Sequence, residues 1–183
     1  CSFPRPLDKR QRAFFLGSSK DDALPLTPCG NAVHAPPRAR PAQPTMRLEP
    51  YLRVDDTPFS ARRADIEGAH GPPQRIERNA VGLTALDYGH VVFRFQDRTG
   101  RLEEVTRRAP VLYLVSDDGV ADVPFAALAD YLRARDARAF ARGGFLVSPR
   151  YGLAFVPAEP DWVTALAAHC VDTWRRLGQG AAG

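Results

Sequence analysis

The sequence predicts an α+β fold with two tandem repeats, each a helix followed by a small antiparallel sheet, which share one core and are closed by a C-terminal helix. The motif V-x-D-x-P-F occurs at residues 54–59 and again, 66 residues later, at residues 120–125. Each copy is followed by a helix-like run and then by a Tyr-Gly step before an apolar strand, at Tyr88 and at Tyr151. This repeated order of motif, helix and strand predicts two tandem repeats of the same architecture.

Length and charge bound the class of protein. The chain has 183 residues, which fits one domain or two small ones. Residues 1–45 hold seven basic and three acidic residues, whereas residues 46–183 hold eighteen of each. The net charge of +4 therefore belongs to the N-terminal segment, and nucleic-acid binding by the neutral part is not favoured. No apolar run approaches the roughly 18–20 residues of a membrane helix, so no membrane association is predicted.

The N-terminal segment, residues 1–45, holds eight of the 17 prolines and has no sustained periodicity, so it is predicted to be a disordered Pro-rich tail. Met46 is the single methionine and stands where ordered patterning begins, which favours a natural start there and a translated upstream segment before it. A genuine tail and a processed lipoprotein beginning at Cys1 are the alternatives. The apolar run at residues 13–16 is too short for a signal peptide.

Cysteine usage argues against a disulfide framework and against a Cys-rich metal site. Of the three cysteines, only Cys170 lies in residues 46–183. This fits a reducing compartment, and a cytoplasmic location is predicted; a periplasmic protein without disulfides would have the same composition.

The first repeat covers residues 46–109. Aspartates and a threonine offer caps for a helix at residues 59–67, which Gly68 and Gly71 end. Strands are predicted at residues 74–80, 88–95 and 101–108, the last two joined by a tight turn at residues 97–100.

The second repeat covers residues 110–177. A buried strand is predicted at residues 111–115, followed by a helix at residues 124–139 with an apolar stripe. Two short strands follow, at residues 145–147 and 151–156. The last helix is predicted at residues 161–177, because its apolar residues recur at spacings of three and four: Val163, Leu166, Cys170, Trp174 and Leu177.

This layout resembles the two-repeat modules of the β-lactamase inhibitory protein type, and also a group of uncharacterised bacterial proteins, some of them suspected immunity proteins. The resemblance rests on the two V-x-D-x-P-F motifs, the D-Y-G and R-Y-G steps, and the segments G-R-L-E-E-V and G-L-A-F-V-P. It covers residues 48–177 and carries over no binding residue. It implies a non-catalytic module that binds a protein, although neither repeat has the disulfide pair of the inhibitory protein.

The leading functional prediction is accordingly a protein–protein interaction module, of the immunity or inhibitor type, with an unidentified protein partner and without cofactor or metal. Tyrosine and arginine are enriched at binding hot spots. We therefore predict an exposed sheet face that binds the partner through Tyr88, Arg94, Arg150 and Tyr151.

The alternative is a small enzyme or ligand-binding protein with a pocket between the two repeats. Its acid–base groups would be His90 with Asp87 or Glu103. On one strand, Asp87 and His90 would point to opposite faces because their separation is odd, which weakens a direct pair.

Other candidate chemistry has a simpler structural explanation. His169 and Cys170 suggest a Cys–His nucleophile, but adjacent helical residues do not face each other, and Cys170 belongs to the apolar stripe. The aspartate pairs at residues 55–56 and 117–118 suit turns and caps better than a metal ion. The basic cluster at residues 133–138 is predicted to be a solvated helix face, with RNA binding as the alternative.

Overall fold

The computed structural model describes residues 45–159 and 161–176, which form a mixed α+β structure of three helices and two sheets, mostly strands. The helices are α1 Arg63–His70, α2 Phe125–Arg135 and α3 Cys170–Arg176. Within these described residues, none of the helices has both the length and the apolar character needed to cross a bilayer. The strands are β1 Thr45–Glu49, β2 Arg53–Val54, β3 Thr57–Pro58, β4 Arg75–Arg78, β5 Leu83–Asp87, β6 Val91–Gln96, β7 Leu102–Arg108, β8 Val111–Ser116, β9 Gly119–Pro124, β10 Phe140–Arg142, β11 Phe145–Ser148, β12 Leu153–Phe155 and β13 Trp162–Leu166.

The smaller sheet has five strands in the order β3-β2-β1-β8-β9. Its centre is a parallel pair, β1 with β8, in which Leu48 lies opposite Leu114. Both leucines are fully buried, and the flanking strands pair antiparallel. This sheet therefore joins the beginning of the described chain to the strand that follows β7.

The larger sheet has eight antiparallel strands in the order β10-β11-β12-β13-β7-β6-β5-β4. The pair at its centre joins β7 to β13, with Val105 opposite Ala165. Five consecutive residues of β7, from Leu102 to Thr106, are buried, so both faces of this strand are covered.

Two hydrophobic clusters cover the two faces. The larger one lies between the sheets and also takes in α1 through Ile66 and α2 through Leu128. The smaller one packs α3 on the opposite face through Cys170 and Trp174. Neighbouring strand residues alternate between faces, which is why the larger cluster contains Leu153 and the smaller contains its neighbour, Ala154.

The predicted helix at residues 161–177 is wrong over its first half. Trp162–Leu166 is strand β13, paired with β7 on one side and β12 on the other, and the helix begins only at Cys170. A strand buried on both faces is apolar throughout and lacks the alternation that would identify it. Leu177 lies outside the described residues.

Two further helix boundaries are corrected. The first helix, predicted at residues 59–67, begins at Arg63, because Thr57–Pro58 pairs with β2 as a strand. The second, predicted to run to residue 139, ends at Arg135, because the side chain of Asp136 accepts the backbone N–H of Arg138 and forms a turn.

The Asp-Tyr-Gly-His segment is a turn and not the start of a strand. β5 ends at Asp87, and β6 begins at Val91. Gly89 has a φ of 82°, a conformation that glycine adopts without strain. The tight turn predicted at residues 97–100 is confirmed between β6 and β7. The predicted tail lies almost wholly outside the described residues and stays a prediction.

We expect Gly152→Ala to lower the free energy of unfolding by about 2 kcal/mol or more. Gly152 has a φ of 58°, which costs an L-residue about 1–2 kcal/mol. An added Cβ would also lie 2.7 Å from the Tyr51 ring and 3.1 Å from the carbonyl oxygen of Leu166. Urea denaturation monitored by tryptophan fluorescence measures the change.

Gly68→Ala is the matched control. Gly68 lies within α1, and an added Cβ would have no atom within 4 Å. Alanine is favoured over glycine in a helix, so this variant is expected to gain about 0.5–1 kcal/mol. Equal effects of the two substitutions would contradict the placement of Gly152 against Tyr51.

Candidate functional site

Three of the four predicted binding residues are buried, so the expectation that they form an exposed face is corrected. Tyr88, Arg94 and Tyr151 are 6%, 5% and 1% exposed. Tyr88 packs edge-on against Phe93, with ring centroids 6.0 Å apart, and its hydroxyl donates to the carbonyl oxygen of Gly71. Its burial raises the pKa of the phenol. Tyr88 therefore supports the core.

Arg94 belongs to a buried polar row on the face that α3 covers. Its Nη1 donates to Thr106 Oγ1 at 2.6 Å, and Thr106 shares a hydrogen bond with Thr164 at 2.9 Å. Its guanidinium lies 3.7 Å from the carboxylate of Glu104. Burial lowers the pKa of Arg94, and the charge of Glu104 opposes that shift. Arg94 is therefore inaccessible to a macromolecular ligand, and loss of one of its partners would leave a buried charge uncompensated.

Arg150 and Tyr151 both contact Asp118, which lies in the β8–β9 turn. Arg150 Nη2 donates to Asp118 Oδ1 at 2.5 Å, and the Tyr151 hydroxyl donates to Oδ2 at 3.0 Å. Burial and the hydrogen bond to Asp118 raise the pKa of Tyr151 to about 12. Only the Arg150 side chain, 44% exposed, remains available to a partner.

The acid–base groups of the alternative hypothesis are not brought together. Asp87 Oδ1 accepts the N–H of Gly89 at 2.7 Å, and His90 Nδ1 lies 3.2 Å from the carbonyl oxygen of Tyr88. Across the sheet, Asp87 lies opposite Val92, and Val92 lies opposite Thr106 of β7. Thr106 is three residues from Glu103 along that strand. At about 3.3 Å per strand residue, Glu103 is roughly 10 Å further along the sheet.

A basic surface depression lies where β10 meets α3. It has a volume of about 360 Å³ and is open to solvent. We call it the arginine depression; the residues that line it are Arg138, Phe140, Ala141, Arg142 and Arg175. None of these described lining residues is acidic, so three arginines and one aromatic residue line the depression.

Local contacts hold two of the arginines in place. Arg142 Nη2 donates to the carbonyl oxygen of Arg175 at 2.7 Å. The guanidinium of Arg175 lies 5.9 Å from the centroid of the Phe140 ring, within the range of a cation–π contact. Arg142 Nε is buried and has no hydrogen-bond partner among the described residues.

Asp136 anchors the loop from which Arg138 projects. Its carboxylate accepts Ser148 Oγ at 2.7 Å and the backbone N–H groups of Arg150 and Arg138 at 2.8 and 2.9 Å. Burial by itself would raise the pKa of Asp136, but these hydrogen bonds outweigh it and hold the pKa below its usual value. Asp136 thus ties the end of α2 to the β11–β12 turn.

The residues of the arginine depression come from three segments, so no single stretch of the sequence identifies it. Phe140 and Arg142 are two apart on one strand and so share a face, which is a pattern that the sequence carries. The approach of Arg175 depends on the packing of α3 against the larger sheet. The sequence predicts a solvated helix face for the basic cluster at residues 133–138, and of its arginines only Arg138 lines the depression.

A second group of reactive side chains lies where β7 meets α3. Glu103 Oε2 lies 2.5 Å from His169 Nε2 and 2.8 Å from Cys170 Sγ. We call these three residues the Glu103 cluster. Burial is the largest cause that raises the pKa of the Cys170 thiol, and the hydrogen bond to Glu103 is the next largest. The thiol therefore stays protonated. This is the opposite of the depressed pKa that an activated nucleophile requires.

Comparison of the chain with protein-family models, with curated proteins and with solved structures gave no match. The resemblance to two-repeat inhibitor modules therefore stays a prediction, and function is argued from the geometry.

We expect Asp136→Asn to lower the free energy of unfolding at neutral pH by about 2 kcal/mol or more, because charged hydrogen bonds from buried groups are lost. The folded-state pKa lies below the unfolded value of about 3.9. The stabilisation is therefore full above pH ~4 and disappears as the pH falls through the folded-state pKa. Urea denaturation between pH 2.5 and pH 7, a range chosen around that ~3.9 value, tests whether the difference from wild type shrinks on acidification.

Asp130→Asn, in the helix that ends just before Asp136, is the control. The side chain of Asp130 is 90% exposed and pairs only loosely with Arg133, at 3.5 Å. Its loss is expected to cost less than about 0.5 kcal/mol. A constant difference between wild type and Asp136→Asn down to the lowest pH would contradict the anchoring role.

Proposed function

We propose that the chain is a non-catalytic binding module whose arginine depression holds an acidic segment of a protein partner. The observation that carries this proposal is that Arg138, Arg142 and Arg175 line one depression together with Phe140. These arginines come from a loop, a strand and a helix. Arginines that only keep one helix face in contact with water would not need to come together from three separate segments.

The chemistry of the depression favours a carboxylate-bearing partner. The planar guanidinium group donates two parallel hydrogen bonds to a carboxylate, and arginine and aromatic residues are enriched at binding hot spots. Residues 46–183 have balanced charge overall, so the positive character is local. A local basic patch complements an acidic patch on one partner better than it follows a long nucleic-acid backbone. The backbone N–H groups of Arg138 and exposed Arg150 both donate to the carboxylate of Asp136, so Arg150 lies close to the loop that carries Arg138.

We further infer a duplicated chain of the immunity or inhibitor type, acting in the cytoplasm. The order of elements supports the duplication. Three strands in the first half, β1 to β3, and two in the second, β8 and β9, are each followed by a helix and then by four antiparallel strands. The first strands of the two halves pair with each other, and so do the last strands, β7 and β13. On this proposal both halves share one core, which α3 closes.

Charge reversal of the arginine depression is expected to abolish partner binding. The double variant Arg138→Glu/Arg142→Glu, the wild type and a control are each used to capture proteins from nuclease-treated lysate of the native host. Proteins retained by the wild type are then measured for direct binding to the purified chains. We expect a loss of affinity of at least about tenfold, equivalent to ~1.4 kcal/mol.

The control is Arg98→Glu/Arg101→Glu, which makes the same change of net charge. Both residues are exposed and lie in the turn between β6 and β7. That turn belongs to strands at least four positions from β10, about 19 Å across the sheet. Equal loss of binding in both double variants, or binding that nuclease abolishes, would overturn the proposal; the second result would point to nucleic acid.

A further inference from the structure

The Glu103 cluster brings together three kinds of metal-ligating atom from distant parts of the chain. A carboxylate oxygen of Glu103, the Nε2 of His169 and the Sγ of Cys170 all lie within 4.8 Å of one another. Glu103 lies on β7, whereas His169 and Cys170 are 66 and 67 residues later, at the start of α3. Packing of α3 on the larger sheet therefore assembles the cluster.

A bulge in β7 directs Glu103 toward α3. The pairing of β6 with β7 shifts between Arg94, which lies opposite Glu104, and Phe95, which lies opposite Leu102. Glu103 is the extra residue, so two consecutive carboxylates meet the same element: Glu104 accepts from Trp174 Nε1 at 3.2 Å, and Glu103 contacts Cys170. Strict alternation along a strand would send them to opposite faces. Bulges commonly redirect side chains in this way beside functional sites.

The backbone around the cluster is fixed. The N–H of Ala167 donates to the carbonyl oxygen of Glu103 at 2.9 Å, and the N–H of Cys170 donates to that of Ala167 at 2.9 Å. The side chain of Glu103 is only 10% exposed, while that of His169 is 51% exposed. The carboxylate and the thiol are therefore held inside, and the imidazole forms the side that solvent reaches.

One carboxylate oxygen, Glu103 Oε2, is approached by both other groups at once. It lies 2.5 Å from His169 Nε2 and 2.8 Å from the thiol sulfur. A divalent cation can take the place of the thiol proton, which is released, and bind His169 Nε2 when the proton of the neutral ring is on Nδ1, so that all three side chains act as ligands. Tetrahedral zinc ligands at about 2.0–2.3 Å from the metal stand roughly 3.3–3.8 Å apart, so the oxygen and sulfur need to separate by only about 1 Å.

We propose that Glu103, His169 and Cys170 form a binding site for a divalent transition-metal ion of the zinc type, with a fourth position open to solvent on the His169 side. Thiolate and imidazole ligands suit Zn²⁺ and disfavour Mg²⁺ and Ca²⁺, which prefer oxygen. Binding releases the thiol proton to solvent as the metal–sulfur bond forms, so metal affinity rises with pH. The site is separate from the arginine depression and does not depend on the binding function proposed for it.

The test is Co²⁺ and Zn²⁺ titration of the full chain after treatment with a chelator. Cys1 and Cys29 are first replaced by serine, which leaves Cys170 as the single thiol. We expect one Co²⁺ per folded chain, a thiolate-to-cobalt charge-transfer band that Zn²⁺ displaces, and one proton released per thiolate formed. Zn²⁺ is also expected to raise the midpoint of thermal unfolding.

Substitution of each proposed ligand tests which residues bind the metal ion. In the background without Cys1 and Cys29, Cys170→Ser is expected to abolish the charge-transfer band. Glu103→Gln and His169→Gln are each expected to weaken Co²⁺ binding by about tenfold or more. His90→Gln is the matched control, because His90 is an exposed histidine outside the cluster.

His169→Gln keeps the test decisive if substitution of a buried ligand disrupts folding, because the side chain of His169 is half exposed. Circular dichroism verifies the fold of each variant. Unchanged Co²⁺ binding in folded His169→Gln, an equal loss in His90→Gln, or no stoichiometric binding to the folded background chain would each overturn the proposal.

Discussion

The antiparallel pairing of β7 with β13 is the constraint on which the rest of the molecule depends. It places Leu102–Arg108 and Trp162–Leu166 at the centre of the larger sheet, where the backbone polar groups of both strands find partners. A central strand must be covered on both faces. The smaller sheet with α1 and α2 covers one face, and α3 covers the other. Both candidate sites, the arginine depression and the Glu103 cluster, lie beside α3.

Because β7 is buried on both sides, its polar residues have to be satisfied inside the protein. Thr106 is satisfied by Arg94 and Thr164, and Glu104 by Arg94 and Trp174. The pKa of Glu104 is raised by burial, and the charge of Arg94 opposes the shift. Glu103, displaced by the bulge, finds its partners on α3. The polar face of the sheet therefore fixes the position of α3 more specifically than apolar packing alone would.

Placement of α3 also completes the arginine depression. Trp174 packs edge-on against Phe145 with ring centroids 5.2 Å apart, and its neighbour Arg175 contacts Phe140 and Arg142 from the same helix. Residues 46–183 have balanced charge overall, yet packing brings three of their arginines together at the arginine depression.

Local sequence determined a good part of this protein: the α+β class, the tight turn at residues 97–100 and the apolar stripe of α2 all follow from spacing and turn chemistry. The tertiary structure alone decided the rest. Trp162–Leu166 became a strand because two neighbouring strands supplied backbone partners that helical spacing could not reveal. Arg94 and Tyr151 became core residues because buried hydrogen bonds offset the cost of removing them from water. The two candidate sites join residues far apart in the chain, and such proximity is fixed by packing and not by local preference.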